Sequence, residues 1–162
     1  MALQIFLDCD GVLADFDGRA TQIIGMSPRE YEHLHGPGRM WAKVYSQYDF
    51  FLSLDVLPGA HSLVEAARSH GVEPKILTGL PSGGLAQARE QKIEWGARHF
   101  PGIEVITCMS RDKCKYATPG DILIDDWEKW RHKWEEVGGK WITHDHAEQS
   151  IRELNEHMEL LK

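Results

Sequence analysis

The chain has 162 residues, 42% of them hydrophobic and 27% charged, with a formal net charge of −7. That length suits one domain with its own hydrophobic core, and an acidic chain without runs of Lys or Arg argues against long nucleic acids or an anionic membrane as the main partner. Cys9, Cys108 and Cys114 are odd in number and match no zinc spacing, so they read as reduced packing residues of a cytoplasmic protein. The opening MALQIFLDCDG lacks the basic flank and apolar length of a signal peptide, and no segment reaches the length of a membrane span.

The first element is the short apolar run Leu3–Leu7 (LQIFL), which predicts a buried strand. From Phe16 to Leu57, about forty residues carry no convincing buried strand, too many for an ordinary βα connection. Helical patterns in SPREYEHL and MWAKVYSQYDFF, broken by HGPGR at His35–Arg39, predict a small helical insertion over residues 17–57 that returns at Pro58-Gly59. His61–His70 then places Leu63, Val64 and Ala67 on one helix face. Glu73–Leu77 reads as a strand, with Pro74 at its start because proline cannot donate within a ladder.

Gly84–Phe100 predicts a helix with Ala86, Ile93, Ala97 and Phe100 along its stripe. Glu104–Thr107, Asp121–Ile124 and Lys140–Thr143 read as further strands. Trp127, Trp130 and Trp134, at i, i+3 and i+7, form a helix packing face. The last helix carries Ile151, Leu154, Met158 and Leu161, opened by a capping box with Asp145 as cap and Glu148 three residues on. Strands alternating with helices predict an α/β fold with a parallel sheet covered on both faces. Residues 1–16 and 58–162 would form its core domain, and residues 17–57 the insertion.

The chemistry starts at Asp8-Cys9-Asp10-Gly11-Val12. Two acids at i and i+2 stand where a buried strand ends, and a glycine follows at once. A turn there crowds both carboxylates beyond the strand's carboxyl end, where open α/β sheets bind ligands. Crowded carboxylates repel, and a hard cation such as Mg²⁺ relieves that with oxygen ligands. Taken alone, D-x-D is an ordinary pair of solvated turn acids. The second pair, Asp125-Asp126, follows the apolar ILI in the same topological place, so together the two resemble an oxygen cage for a metal. Asp125-Asp126 also suits a helix cap before WEKW. Thr78-Gly79 ends the second strand, with a hydroxyl and free N–H groups suited to phosphoryl oxygens. Lys113, in SRDKCKY, could neutralise both a phosphate and the acids, with Lys115 competing for that place. His144 and His146 lack further ligands at zinc spacing.

DxDGV, a strand ending in Thr, a Lys, and a strand ending in DD together resemble the haloacid-dehalogenase superfamily of phosphohydrolases over nearly the whole chain. DCDGVLADFD, FFLSLDVLPGA, and RDK followed by GDILIDD are similar to its 5′(3′)-deoxyribonucleotidase branch, and the tail GGKWITHDHAEQSI to small bacterial and phage members.

The resemblance implies a Rossmann-like core with a five-stranded parallel sheet in order 5-4-1-2-3, and a helical cap inserted after the first strand. It implies Asp8 as nucleophile forming an aspartyl-phosphate, and Asp10 as general acid, then base. Mg²⁺ would be held by Asp8, the Asp10 carbonyl and Asp126, with Asp125 assisting; Thr78, Gly79 and Lys113 would hold the phosphate. The R-D-K context selects Lys113, although the spacing to the DD pair fits Lys115. In the insertion, Trp41, Tyr45, Tyr48, Phe50 and Phe51 suit the packing of a small helical unit. Phe50 and Phe51, with Trp41, are also the candidates for contact with a substrate base. The implied substrate is a small phosphorylated molecule, a nucleoside monophosphate first. Another phosphorylated metabolite, a nucleic-acid end, and a non-catalytic phosphate-binding module are the alternatives.

Overall fold

A computed structural model describes residues 2–81, 83 and 85–162 of the chain. Its strands are β1 (Ile5–Leu7), β2 (Lys75–Gly79), β3 (Val105–Cys108), β4 (Ile122–Asp125) and β5 (Lys140–Thr143). All pair in parallel, in the order β3-β2-β1-β4-β5, which is the expected order read from the other edge. β2 runs two residues beyond its expected end, so Thr78 and Gly79 belong to the strand itself and pair with Thr107 and Cys108.

Alternation along the strands divides the core into two layers. Ile5 and Leu7 of β1, with Ile76, Ile122, Ile124 and Ile142, share one apolar cluster with α4 (Ala60–Ser69), α5 (Leu85–His99) and α7 (Ala147–Leu160). Phe6, between Ile5 and Leu7, turns to the other face with Leu77, Leu123 and Trp141, against Trp134 of α6 (Arg131–Glu136). Phe6 and Trp134 meet edge to face at 5.6 Å, a favoured ring geometry. Both faces are covered at the middle of the sheet, so β1 and β4 read as unbroken apolar runs. Strand progression runs one way from β1 to β3 and the other way from β4 to β5. With right-handed crossovers, this reversal puts α6 on the face opposite α4 and α5 and opens a crevice at the carboxyl ends of β1 and β4.

Three helices lie between β1 and α4: α1 (Phe16–Ile24), α2 (Pro28–His35) and α3 (Pro37–Tyr45). Asp15 caps α1 by accepting from Gly18 N at 2.9 Å, and Ser27 caps α2 by accepting from Glu30 N at 3.1 Å. Gly36, at φ +87°, turns the chain between α2 and α3, and Pro37 opens the latter. The chain enters and leaves this region side by side: Asp15 N donates to Asp55 O at 2.9 Å, and Leu57 N to Leu13 O at 2.8 Å. Met40, Val44, Phe50, Phe51 and Leu54 join the same apolar cluster as β1.

Some local expectations are corrected. The buried stripe of α5 is Ala88, Gln91, Lys92 and Trp95; Ile93 is 45% exposed, and Ala86 and Ala97 are exposed too. The expected start of that helix, Gly84, lies outside the described residues. Hydrophobicity misplaced the stripe because two polar residues on it are buried with partners. Gln91 donates to Tyr48 O at 2.7 Å and accepts from Leu52 N at 3.2 Å. Likewise, α7 is capped by His146, which accepts from Gln149 N at 3.3 Å, while Gln149 returns a bond to Asp145 N at 2.9 Å. The cap stands one residue later than Asp145 and Glu148 suggested, and the returning bond reaches the N–H of Asp145 before the cap, so the box is not the reciprocal one expected. The tryptophan face also fails: Trp134 is buried, but Trp127 precedes the helical turns and is 51% exposed. Leu161, placed on the α7 stripe, is exposed at the chain's end. Among the described residues, no helix is long and apolar enough to cross a membrane.

Candidate active site

β1 continues its ladder for one residue past Leu7: Asp8 N donates to Ile124 O at 2.9 Å. The chain then folds on Cys9, whose carbonyl accepts from Val12 N, Leu13 N and Ala14 N at 3.2, 2.8 and 2.9 Å. Gly11 makes this turn at φ +83°, a conformation glycine adopts without steric cost. Asp8 thus stands at the strand end beside β4, while the turn carries Asp10 toward α5 and the end of β2.

Across the crevice, β4 delivers Asp125 and Asp126. One ligand oxygen each from Asp8, Asp125 and Asp126 gathers within 4.8 Å of the others. Lys113 is buried between two of them, its Nζ 3.0 Å from Asp8 Oδ1 and 2.8 Å from Asp125 Oδ2. Lys115 is 73% exposed and pairs with Asp112 at 3.2 Å, so the structure brings Lys113 to the acids. Ser110–Tyr116 is a 3₁₀ helix with three residues per turn. Ser110 and Lys113 therefore share a side that Lys115 does not. Gly79 admits that turn: a Cβ on it would lie 2.1 Å from Ser110 Oγ.

Electrostatics follow from this crowding. Burial, then the charge of Asp125, holds the Asp8 carboxyl well above the ordinary range, with Lys113 opposing. Desolvation alone would lower the Lys113 ammonium, but Asp8 and Asp125 outweigh it and hold it above its ordinary value. The Asp126 carboxyl turns toward its neighbours, where desolvation, then Asp125, pushes it up to about 6. Asp125 Oδ1 also accepts from Trp127 N at 3.0 Å, so the cap-like bond and the acid cluster coexist. The cluster is an all-oxygen donor set whose negative charge Lys113 offsets only in part. That set suits a hard divalent cation such as Mg²⁺.

Asp10 belongs to a second group of charges, and its partner escaped the reading of the sequence. Lys92 of α5, 3% exposed, donates to Asp10 Oδ2 at 2.7 Å, to Thr78 Oγ1 at 3.0 Å and to Gly79 O at 3.1 Å. Burial would lower this ammonium, yet Asp10 and Cys9 raise it past its ordinary value. The one local signal for Lys92 is its spacing, four after Ala88 and three before Trp95, on the face that buries both. Thr78, buried at the end of β2, is thereby joined to Asp10 through one ammonium.

The aromatic candidates divide. Phe51 is buried with its ring centroid 4.8 Å from Lys92 Nζ, next to this second group. Phe50 is buried and packs edge to face on Phe16 at 5.3 Å, and Trp41 meets the same ring at 5.8 Å. Phe50 and Trp41 are thus brought to the packing around Phe16, which Phe51 also joins at 6.4 Å while reaching Lys92.

Comparisons with known proteins bear on the family and the fold. The family described as "5' nucleotidase, deoxy (Pyrimidine), cytosolic type C protein" matches residues 2–156. The mitochondrial 5'(3')-deoxyribonucleotidase of Mus musculus is 28% identical over 145 residues, which cover 77% of this chain and 64% of the mouse protein. The chain therefore spans under two thirds of that relative's length. Among solved structures, a hydrolase from Pseudomonas syringae matches 99% of this chain and 100% of its own, with a TM-score of 0.55 at 14% identity. A HAD-superfamily hydrolase from Ehrlichia chaffeensis matches 98% and 96%, with a TM-score of 0.54 at 11% identity. At such identities the structures speak to the fold.

Proposed function

We propose that this chain, which belongs to the cytosolic type C family of deoxy (pyrimidine) 5' nucleotidases, is a Mg²⁺-dependent phosphomonoester hydrolase acting on a nucleoside monophosphate. The observation that carries the reading is the buried Lys113 bonded to Asp8 and Asp125 while Asp126 completes the oxygen cluster. Such a site binds one more cation and an anionic ligand together, and phosphoryl transfer needs that positioning and charge neutralisation above all.

In this reading an Asp8 carboxylate oxygen attacks phosphorus in line as the ester P–O bond breaks. Asp10 gives its proton to the departing alkoxide. Water then attacks phosphorus of the aspartyl-phosphate, and Asp10 takes a proton from it. Inorganic phosphate leaves and Asp8 is restored. Lys113 offsets charge between Asp8 and the phosphoryl group, and the Thr78-Gly79 strand end offers a hydroxyl and N–H groups to its oxygens. Mg²⁺, held by Asp8, Asp126 and the Asp10 carbonyl with Asp125 in support, would supply charge neutralisation of the phosphate. Residues 17–57 act as a cap on a core of residues 1–16 and 58–162, with Phe51 at the boundary. A cytoplasmic location fits the three free cysteines.

Asp8→Asn tests the reading. Mg²⁺-dependent release of phosphate from nucleoside monophosphates should vanish, and undiminished release would overturn the nucleophile. A panel of phosphorylated metabolites tests the substrate. Turnover of sugar phosphates in preference to nucleotides would overturn the nucleotide assignment, and nucleotide binding without any turnover would favour a binding module.

A further inference from the structure

We infer that Lys92 is a positioning residue for Asp10: it holds Oδ2 and so fixes the carboxyl that exchanges the proton with the leaving group. The inference rests on the phosphohydrolase reading above. An ammonium has three protons to donate, and those of Lys92 meet Asp10 Oδ2, Thr78 Oγ1 and the Gly79 carbonyl at 2.7, 3.0 and 3.1 Å. Its donors are fully committed, so the lysine has no proton left with which to bind substrate. Asp10 Oδ1 is buried and has no hydrogen-bond partner among the described residues. A buried carboxylate oxygen left without a donor is costly in a merely structural ion pair. That unmet oxygen marks the carboxyl as held for more than an ion pair, and Lys92 fixes where it stands.

The surroundings hold Lys92 in place. Phe51 lies against its ammonium. One residue earlier on α5, Gln91 bonds to both Tyr48 O and Leu52 N. One turn later, Trp95 Nε1 donates to Leu54 O at 2.8 Å. A single face of α5 therefore grips the segment from Tyr48 to Leu54 and fixes Asp10. Lys92 also ties Asp10 to Thr78, so the residue that protonates the leaving oxygen and the strand end that receives the phosphoryl group share one anchor. Misplacing a catalytic group by a fraction of an ångström is expensive in rate, and a carboxylate on a turn after a strand has little else to orient it.

The test compares two leaving groups. Protonation matters for the poor alkoxide of a nucleoside 5′-monophosphate and little for the stable phenolate of p-nitrophenyl phosphate. Lys92→Met should lower kcat on the nucleotide by about a hundredfold or more, the usual worth of general acid catalysis. On p-nitrophenyl phosphate it should lower kcat less than about tenfold. Asp10→Ala should show the same split, and Lys92→Met added to Asp10→Ala should cost little further on the nucleotide, as expected of residues that act as a unit. Lys92→Arg, which keeps charge and bulk, should show the split in weaker form and serves if Lys92→Met does not fold. Equal losses on both substrates, or full additivity with Asp10→Ala, would overturn the assignment of Lys92 alone. Absence of phosphate release from either substrate by the unaltered protein would overturn the phosphohydrolase reading and this assignment with it.

Discussion

Gly11 and Asp126 lie so close that a methyl group on Gly11 would stand 2.0 Å from Asp126 Oδ2. The glycine that turns the chain after Asp10 is therefore also the floor against which Asp126 rests. Two independent demands meet at one position: φ +83°, and room for a carboxylate from another strand. Gly11→Ala violates both. It should cost about 1–2 kcal/mol in backbone strain alone, read from urea unfolding. It should also weaken Mg²⁺ binding in a calorimetric titration, because Asp126 must move. Unchanged Mg²⁺ affinity would show that the contact does not hold Asp126.

Lys113 and Lys115 should separate cleanly. Lys113→Met removes the one ammonium bonded to both Asp8 and Asp125 and leaves buried acids without it. Breaking a buried pair on one side costs about 3–5 kcal/mol, and phosphate release should fall with it. Lys115→Ala touches an exposed pair with Asp112. Stability should change by less than about 0.5 kcal/mol and phosphate release should hold.

Mg²⁺ should stabilise the fold measurably. Under the proposed function it would bind the native acid cluster and not the unfolded chain, so at a hundred times its Kd it would add about 2.7 kcal/mol. The thermal midpoint of the native chain should rise with Mg²⁺, and that of Asp126→Ala should rise much less. Equal shifts in the two would move the metal away from this cluster.

His144 sets a pH dependence away from the acid cluster. It is buried at the end of β5, its Nδ1 2.7 Å from Ser150 Oγ. Burial, then His146, holds it below its ordinary 6.5, with Asp145 opposing. A depressed histidine binds its proton less readily folded than unfolded. Its contribution to stability is therefore fully present above about pH 6.5 and is lost as pH falls through the lower folded value. Urea unfolding at about pH 7.5 and about pH 5.5 should show a steeper loss in the native chain than in His144→Gln. A matching loss in both would place the proton uptake elsewhere, with His99 and His157 the other depressed histidines.

Much of the fold was legible because its signals are local. The strands are short, mostly apolar runs, fully buried in β1 and β4, and the ends of β1, β2 and β4 are punctuated by acids or Thr-Gly. Asp8-x-Asp10-Gly11 announces a turn at a strand end, and Asp125-Asp126 announces another. Composition and order alone placed these groups on one edge of the sheet, because a parallel strand has only one carboxyl end.

What the tertiary structure alone decided depends on partners distant along the chain. Lys92 and Gln91 sit on the buried face of α5, where hydrophobic periodicity places apolar residues. They are buried because Asp10 and Tyr48, 82 and 43 positions away, satisfy them. No local window contains that information. The R-D-K context selected Lys113 against the spacing to the DD pair, and the three-residue period of the 3₁₀ turn supplies the physical reason. At Gly11 the sequence determined that the chain could turn, through a residue free to take positive φ. Only the fold decided that the same missing side chain would make room for Asp126, because that contact exists only when β4 lies beside β1.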